Sequence, residues 1–406
     1  MNYHKKKTLL ILSQFFWPEK FRINELAIKL NKKYEVKVIT SIPNYPNGIY
    51  FDNYGYSKNR IELHRKIEIN RIITYPRRDG SSLNLFFNYL TFNIFSFFKI
   101  IFFRQKIDCI FIPATSPLTQ SLAAIFLKKF FNYKIVIWLQ DIFPESFYLK
   151  KKSLKNFSYL FNRLAKYIFW NSDMIFLQNK EMAPYVDRYF INEKRKLYVL
   201  ENWTEDIFIN SKIKIINKNV LNFVLAGNLG EAQAIPEFIK SMPKLKSLFE
   251  HSKKEILIHI VGTGVKLNSL IKSVEEFGLK NYIKFYGRLS YSSTKLIFDK
   301  CQFGISLFTS NEKFLEKIVP SRFISYVASN LIILTNSNGT QRKIIESYKC
   351  GYFNKNLLSL FKFSLDLDNK QLIKMINNSK KLFYEKYDKN KIFSNFEKEL
   401  DGLFRN

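Results

Sequence analysis

The chain has 406 residues, of which 47% are hydrophobic and 17% aromatic, so it can build packed cores and is not a disordered protein. Its formal net charge of +31 predicts attraction to phosphates of nucleic acid, anionic lipid or nucleotide sugars, although an A+T-rich coding genome would produce the same bias. Three widely spaced cysteines exclude a disulfide framework and a zinc site and are typical of a reducing cytosol.

The amino-terminal half alternates predicted strands with predicted helices. Repeated β-α-β units connect through right-handed crossovers, so we expect a parallel sheet with helices on both faces. The predicted strands are Thr8–Ser13, Glu35–Thr40, Asp108–Ile112, Ile135–Leu139, Asp173–Leu177 and Lys196–Leu200, and the predicted helices are Asn24–Leu30, Leu118–Phe130 and Lys155–Phe169.

The segment Leu83–Phe103 is rich in aromatic residues. It is long enough to cross a bilayer, for which about 20 apolar residues are needed, but polar residues interrupt it every three to five positions. This spacing leaves a broad aromatic face and favours a helix that lies on the membrane surface. An ordinary core helix and a true span are the alternatives. The interrupting residues are Asn84, Asn88, Asn93, Ser96 and Lys99.

After a polar, basic connection around Trp203–Asn219 the alternation restarts, which predicts a second Rossmann-like domain. Beyond Leu357 the chain is predicted to be helical and charged through Glu397. The predicted strands are Leu221–Ala226, Glu255–Val261, Ile283–Tyr286, Phe303–Phe308 and Leu331–Thr335, and the predicted helices are Ile235–Phe249, Val265–Phe277, Ser293–Lys300, Ser321–Ala328 and Thr340–Ser347.

Polar residues follow the buried strand Ile135–Leu139 at Gln140 and Asp141. In open parallel sheets ligands bind beyond the carboxyl ends of the strands, so these side chains are candidates for chemistry, although a plain polar turn would also account for them. The first strand leads into a loop whose Lys20 and Arg22 predict a positively biased pocket at the same edge; a surface lid is the alternative.

The second domain has its own candidate phosphate site. Gly227 and Gly262 follow predicted strands, and glycines in such turns let a ligand approach the backbone. Pro320 suits a first helical turn and Ser321 a helix cap, and with Arg322 they would place amides, a hydroxyl and a guanidinium around one point. A diphosphate needs this combination, but a capped helix with a solvated Arg has the same residues.

Six motifs in order extend these observations over nearly the whole chain: FFWPEKFRINELA, PNYPNG, QDIFPES, ENWTED, AGNLGEAQ and PSRFISY. Together they resemble the retaining GT-B glycosyltransferases of family four. More narrowly, they resemble the subgroup that adds N-acetyl-aminosugars such as N-acetylfucosamine in bacterial O-antigen or capsule assembly.

The resemblance implies an α/β GT-B fold with two facing Rossmann-like domains, each with a parallel sheet. The acceptor domain would be 1–205, the nucleotide-sugar domain 206–375, and the helices of 376–406 would pack back towards the first domain. It also implies a UDP-linked nucleotide-sugar donor and a polyprenyl-diphosphate-linked acceptor. Such an enzyme would be cytoplasmic and peripherally associated with the anionic inner face of the cytoplasmic membrane.

The same resemblance assigns roles to individual residues. Catalytic roles fall on Asp141 and Arg322, and the charge of Lys317, at a position where the family has a glutamate, makes it a further catalytic candidate beside Arg322. Substrate binding falls on Glu19, Arg22, Gln140 and Glu145. Nucleotide binding falls on Gly227, Asn228, Gln233, Gly262, Arg288, Ser321 and Glu346.

Several positions depart from the family pattern. Asn228 and Gln233 replace the usual Arg and Lys, and Gln140 replaces the usual His. Lys317 and Ser325 stand where two glutamates are usual. We therefore expect Arg322 to supply the charge that stabilises the leaving diphosphate, which would itself accept the acceptor proton. No D-x-D motif stands beside these strands, so no metal cofactor is expected.

Other functions are compatible with parts of this pattern. A UDP-sugar epimerase or hydrolase could use the same fold, and the altered catalytic positions leave a non-catalytic nucleotide-sugar-binding protein open. A basic nucleic-acid-binding protein is disfavoured, because the lysines are dispersed and no helix-turn-helix, zinc or RNA-binding signature is present.

Overall fold

The computed structural model describes residues 6–115, 118–150, 152–190, 197–209, 219–309 and 312–405. The chain divides into two compact units, one of Met1–Leu200 with Phe393–Asn406 and one of Glu201–Ile392. Lys196 of a predicted strand and residues 210–218 of the predicted connection lie outside the described residues.

The first unit is built on a sheet in the order β3-β4-β2-β1-β5-β6-β7-β8, parallel throughout except for the antiparallel pair β3 and β4. The central strands are continuous apolar runs because helices cover both faces. The strands are β1 (Thr8–Leu12), β2 (Glu35–Ser41), β3 (Ile61–His64), β4 (Ile67–Ile72), β5 (Cys109–Ala114), β6 (Lys134–Leu139), β7 (Met174–Leu177) and β8 (Leu197–Val199).

The helices of this unit lie on faces set by the direction of each crossover. The step from β1 to β2 runs one way along the sheet, whereas the steps from β4 through β7 run the other way. Right-handed crossovers therefore place α1 on one face and α2, α3 and α5 on the opposite face. The helices are α1 (Arg22–Leu30), α2 (Ser82–Ile101), α3 (Leu122–Leu127), α4 (Glu145–Lys150), α5 (Ser158–Trp170) and α6 (Ala183–Asp187).

The second unit contains a wholly parallel sheet in the order β11-β10-β9-β12-β13-β14. Its strands are β9 (Val220–Ala226), β10 (Glu255–Val261), β11 (Ile283–Phe285), β12 (Phe303–Ser306), β13 (Ile332–Thr335) and β14 (Gly351–Phe353). Its helices are α7 (Ile235–Glu250), α8 (Leu267–Glu276), α9 (Tyr291–Phe298), α10 (Ser321–Ala328), α11 (Thr340–Tyr348), α12 (Leu357–Asp366) and α13 (Asn369–Leu382).

The last helix, α14 (Lys389–Leu403), ends in the first unit. The Phe396 ring packs against Phe111 and Phe176, with ring centres 5.7 and 4.8 Å apart. The Asp401 carboxylate accepts a 2.5 Å hydrogen bond from Tyr34. The predicted return of the last helix to the first domain is thus confirmed. Residues 376–392, which were predicted to pack back towards the first domain, belong to the second unit. Helix α13 buries Leu372 and Ile376 in the core of that unit.

Strands β3, β4 and β14 were not predicted from the sequence. Strand β4 reads IEINRI and contains Arg71, whose side chain is buried through an ion pair with Glu62 at 2.7 Å and a hydrogen bond to the Trp17 carbonyl at 2.8 Å. Charges inside a strand conceal its apolar pattern unless their partners are known, and these partners come from other segments.

Helix α2 turns part of its polar side towards the protein and most of its aromatic side outward. Its buried residues are Asn88, Phe92, Ser96 and Ile100, so two of the polar interruptions face inward. Asn88 accepts a hydrogen bond from the Gln14 side chain at 2.5 Å. Large apolar side chains face outward, namely Leu83, Phe86, Phe87, Leu90, Ile94, Phe95, Phe98 and, just after the helix, Phe102. Among the described helices none has the length and hydropathy needed to cross a membrane.

Candidate functional site

Two glycine turns meet at the carboxyl ends of β9 and β10. Gly227 has a φ of +115° and donates its N–H to the Val261 carbonyl at 2.9 Å. Gly262 has a φ of +142°, and a Cβ there would lie 1.9 Å from the Gly227 carbonyl oxygen. Only glycine satisfies both restrictions at position 262. The exposed Gly227 turn and the half-buried Gly262 turn lie side by side and leave backbone that a ligand can approach closely.

The loop after Gly227 brings two more predicted nucleotide-binding residues to the same turn. Gln233 accepts a 3.0 Å hydrogen bond from the Gly230 N–H, and the Asn228 amide nitrogen lies 3.0 Å from the position of a Cβ on Gly230. Both side chains are neutral, and Gln233 is occupied in shaping the loop. Any strong positive charge at this turn must therefore come from another element.

Arg322 of α10 supplies that charge. A Cβ on Gly227 would lie 3.9 Å from its Nη1 atom, while its Nη2 atom donates to the Leu307 carbonyl at 2.7 Å. The guanidinium is buried beside the Phe308 ring, and burial lowers its pKa from the ordinary value. Its Nε atom has no hydrogen-bond partner, and within the described residues it forms no ion pair. A buried cation with unused donors at an exposed glycine turn is suited to an anionic ligand.

Tyr326, one turn further along α10, holds this helix against the sheet. Its hydroxyl accepts a 2.7 Å hydrogen bond from the Ala226 N–H, the residue immediately before the Gly227 turn. Its ring lies so close to Gly304 that a Cβ there would approach it to 2.5 Å. Arg322 and Gly227 are thereby kept in register by contacts inside the second unit.

The start of α10 differs from the prediction. Ser321 was expected to cap the helix, but Pro320 is the cap residue, with extended dihedral angles, and Ser321 is the first helical residue. The fixed φ of proline, here −71°, suits this position and leaves no N–H to satisfy. The Ser321 side chain is exposed and makes no capping hydrogen bond within the described residues, so its contacts assign no role to the hydroxyl.

Three further predicted residues of the second unit lie on elements other than the Gly227 turn and α10. Arg288 is exposed after Gly287. Glu346 is exposed on α11 and pairs with Arg342 at 2.7 Å, an ordinary surface contact between residues four apart. Lys317 is half-buried at the end of the 3₁₀ turn Lys313–Lys317.

Sequence reasoning missed a buried polar cluster at the carboxyl ends of β12 and β13. The Thr335 hydroxyl donates to the Ser306 carbonyl at 2.8 Å and accepts from the Ser337 N–H at 3.1 Å. The Ser306 and Ser337 hydroxyls and the Gln341 amide nitrogen are buried without a hydrogen-bond partner in the described part of the chain. The strand-end rule that singled out Gln140 and Asp141 could have identified Ser306 and Thr335 too.

In the first unit Gln140 and Asp141 are half-buried at the end of β6. The Gln140 N–H continues the ladder to the Ala114 carbonyl at 3.0 Å, and its carbonyl accepts from the Gln178 side chain. The side-chain nitrogen of Gln140 is buried with no hydrogen-bond partner among the described residues. Gln178, at the end of β7, was not predicted and contributes to the same polar edge.

Glu145, assigned to substrate binding by the resemblance, is the first residue of α4, a helix that was not predicted. Its Oε1 atom pairs with Arg188 at 2.6 Å, and Arg188 also donates to the Tyr189 hydroxyl at 2.7 Å. The Oε2 atom is buried without a hydrogen-bond partner in the described ranges. One carboxylate oxygen therefore binds Arg188, whereas the other has no partner in the described part of the chain.

Glu19 is almost wholly buried, with 3% of its surface exposed. Its Oε1 atom accepts the N–H groups of Asn44 and Tyr45 at 2.9 and 2.7 Å. Burial raises the pKa of Glu19 to about 7, against the lowering effect of these hydrogen bonds. These hydrogen bonds show that Glu19 holds the Pro43–Gly48 loop in place. Arg22, the other predicted substrate-binding residue of this region, is the first residue of α1 and is half-buried.

The raised pKa predicts a pH-dependent stability for the first unit. In the folded state Glu19 keeps its proton up to about pH 7, whereas in the unfolded chain it ionises near 4.5. The folded state therefore binds more protons in this window, and its stability falls as pH rises. At about 1.4 kcal/mol per pKa unit, the free energy of unfolding should lose about 3 kcal/mol from pH 4.5 to 7.5.

Urea unfolding of the wild type and Glu19→Gln across this window measures the effect. Glutamine keeps an acceptor for the loop N–H groups and cannot ionise, so the variant should lack this part of the slope. Equal slopes for the two proteins would show that Glu19 does not titrate as described.

The comparison with protein families bears on the second unit. The family model of Glycosyl transferases group 1 matches residues 206–359. That range includes the Gly227 and Gly262 turns and Arg322. A search by sequence among curated proteins gives no match.

Solved structures cover nearly the whole chain. A sucrose-phosphate synthase from Thermosynechococcus elongatus matches with a TM-score of 0.76 and 11% identity, covering 99% of this chain and 100% of its own. HepE from Anabaena in complex with UDP matches with 0.66 and 12%, covering 98% and 100%. WaaG, a glycosyltransferase involved in lipopolysaccharide biosynthesis, matches with 0.64 and 11%, covering 98% and 99%. These likenesses confirm the predicted GT-B fold.

Proposed function

We propose that this chain, which has the GT-B fold and a group 1 glycosyl transferase match in its second unit, is a retaining glycosyltransferase. Its donor is a UDP-linked sugar, specifically an N-acetyl-aminosugar, and its acceptor is a polyprenyl-diphosphate-linked saccharide of bacterial surface polysaccharide synthesis. The observation that carries the proposal is Arg322, a buried cation with unused donors beside the exposed Gly227 turn.

The donor diphosphate binds where these groups converge. Backbone at Gly227 and Gly262 lets the phosphates approach closely. Arg322 neutralises their charge, since among the described residues no carboxylate pairs with its guanidinium. The structure of HepE from Anabaena, which is similar to this chain, was solved in complex with UDP, and this supports a UDP-linked sugar as the donor.

The reaction proposed for this site breaks the bond between the anomeric carbon and the diphosphate oxygen. The acceptor hydroxyl oxygen forms its new bond to that carbon on the same face, and its proton passes to the departing phosphate. Arg322, with Lys317, stabilises the charge that develops on the leaving group. Asp141 and Gln140 orient sugar hydroxyls, which is positioning and requires no strong base. The residues supply the necessary charge themselves, so we propose a metal-independent transfer.

The orientation of α2 supports a membrane-surface location for this enzyme. A core helix buries its apolar face, but α2 buries Asn88 and Ser96 and exposes four of its phenylalanines, Phe86, Phe87, Phe95 and Phe98. An aromatic face of this size is suited to the headgroup boundary of a bilayer. We place it at the inner face of the cytoplasmic membrane, where a polyprenyl-linked acceptor would be available.

The direct test is incubation of the full chain with a panel of UDP-sugars and a synthetic polyprenyl-diphosphate saccharide, with products identified by mass. We expect one N-acetyl-aminosugar to be transferred, its anomeric configuration retained by NMR, at a rate that a chelator leaves unchanged. Interconversion of the donor sugar without transfer would favour an epimerase, and binding of UDP-sugar without turnover would favour a non-catalytic protein.

A further inference from the structure

The surface formed by α2, α3 and α5 has a distinctive charge. The sequence spans 82–107, 118–133 and 152–171, which contain these helices, have no Asp or Glu, although about five would be expected from 34 in 406 residues. They carry several cations, including Lys99, Arg104, Lys129, Arg163 and Lys166. We call the outward side of these three helices the basic aromatic face.

These helices form one continuous surface. The crossover directions place them on the same face of the first sheet. The Phe97 ring of α2 packs against Phe126 of α3 at 5.9 Å, and Lys128 donates to the Asn171 carbonyl just after α5 at 3.0 Å. Beyond α3, Phe130 is 70% exposed and extends the aromatic surface of α2 towards α5.

An open groove of about 890 Å³ runs along α5 within this face. Its outward residues are exposed and recur at helical spacing: Tyr159, Leu160, Arg163, Lys166, Tyr167 and Trp170. The Arg163 guanidinium lies 5.6 Å from the Tyr159 ring centre, and the Lys166 ammonium lies 5.8 Å from that of Trp170. Neither cation forms an ion pair within the described ranges, and two aromatic rings flank them.

The face ends where acidic residues reappear. The next crossover helix, α6, and the turn before it contain Glu181 and Asp187. At the other end Asp79 precedes α2. Within these limits the positive charge is not offset by any acidic residue, which is the distribution that complements an anionic lipid surface.

We propose that the α5 groove binds the phosphate headgroup of an anionic phospholipid, in the same bilayer surface on which α2 lies. The Arg163 and Lys166 donors bind the phosphate, while Tyr159, Tyr167 and Trp170 lie at the boundary between headgroups and acyl chains. The inference deepens the membrane role given above and rests on it. It assigns a second, charge-selective contact to α5, distinct from the apolar contact of α2.

Co-sedimentation of the full chain with vesicles tests this assignment. Vesicles of phosphatidylcholine alone are compared with vesicles of phosphatidylcholine and phosphatidylglycerol. The double variant Arg163→Ala/Lys166→Ala should bind the anionic vesicles about 30-fold more weakly, about 5-fold for each cation near the surface. Its weak binding to neutral vesicles should be unchanged. Lys272→Ala/Lys280→Ala, which removes two exposed cations near α8 in the second unit, is the matched control.

A variant of α2, Phe86→Ser/Phe98→Ser, should weaken binding to both kinds of vesicle, because it removes apolar insertion. Binding of the α5 variant equal to that of the control variant on anionic vesicles would overturn the proposal. The proposal would also be overturned if the wild type were a dimer in sedimentation equilibrium and the α2 variant a monomer, because this face would then contact a second copy of the chain. Sugar transfer to a water-soluble acceptor tests the glycosyltransferase activity without a membrane, whereas vesicle binding tests the lipid site on α5. If no transfer occurs, the vesicle result still stands, so the two hypotheses can fail separately.

Discussion

Replacing Arg322 by alanine should lower kcat for sugar transfer by about 10²–10³-fold, the usual loss when one donor to developing charge is removed. Arg322 is buried beside the Gly227 turn with unused donors, and the nearby Asn228 and Gln233 side chains are neutral. The effect should fall mainly on kcat, because charge on the diphosphate grows as the sugar departs.

The kinetic comparison needs controls for folding and for charge. Arg322→Lys keeps the charge but loses the planar fork, so it should recover part of the rate. Lys272→Ala removes a cation that is 78% exposed and paired with Glu276 on α8, and it should leave kcat unchanged. Circular dichroism and urea unfolding show whether Arg322→Ala folds, since its loss leaves the Leu307 carbonyl without a donor. A folded Arg322→Ala enzyme with more than half the wild-type turnover would refute the role.

Gly262→Ala should reduce kcat/KM for the UDP-sugar by about 10²-fold or more, as expected when reacting groups move by about 1 Å. The new Cβ would lie 1.9 Å from the Gly227 carbonyl oxygen, where ordinary contacts begin at 3.4 Å. The φ of +142° adds strain for any residue with a side chain. Both glycine turns must therefore shift, and with them the backbone to which we assign the diphosphate.

The matched control is Gly55→Ala in the first unit, where no atom lies within 4 Å of the added Cβ. Isothermal titration with UDP separates loss of donor binding from loss of turnover, and unfolding measurements identify any overpacking of the second unit. If Gly262→Ala binds UDP and turns over as Gly55→Ala does, the diphosphate does not bind at these turns.

Much of the architecture was predictable from local pattern. Strands β1, β6, β9 and β10 are apolar runs that lie within one or two residues of their predicted limits. Such runs can be recognised because both faces of a parallel strand are buried, so apolar residues dominate them, with Asn222 in β9 and His259 in β10 as the interior polar residues. Strand β4 was missed for the converse reason: Glu68 and Arg71 are accommodated by partners on other strands, Lys37 and Glu62, and Asn70 donates to Glu68.

The candidate site was only partly predictable. Gly227, Gly262 and Arg322 were identified because glycine turns after strands and a proline-initiated helix leave local marks in a sequence. The pairing of Glu145 with Arg188 left no such mark, nor did the bonds of Glu19 to the Asn44 and Tyr45 backbone. Their partners are tens of residues away, so the folded topology alone brings them together. The unpartnered atoms of Ser306 and Gln341 emerged for the same reason.

The sequence by itself determined the α/β alternation, the glycine turns and the presence of two faces on α2, because each depends on neighbours within one or two helical turns. Only the tertiary structure decided which face of α2 is buried: periodicity separates polar from aromatic positions but does not say which side meets the sheet. Hydrogen bonds from Gln14 to Asn88 and from Asn88 to Tyr75 fix the polar side inward. The aromatic side is left outward, together with α3 and α5.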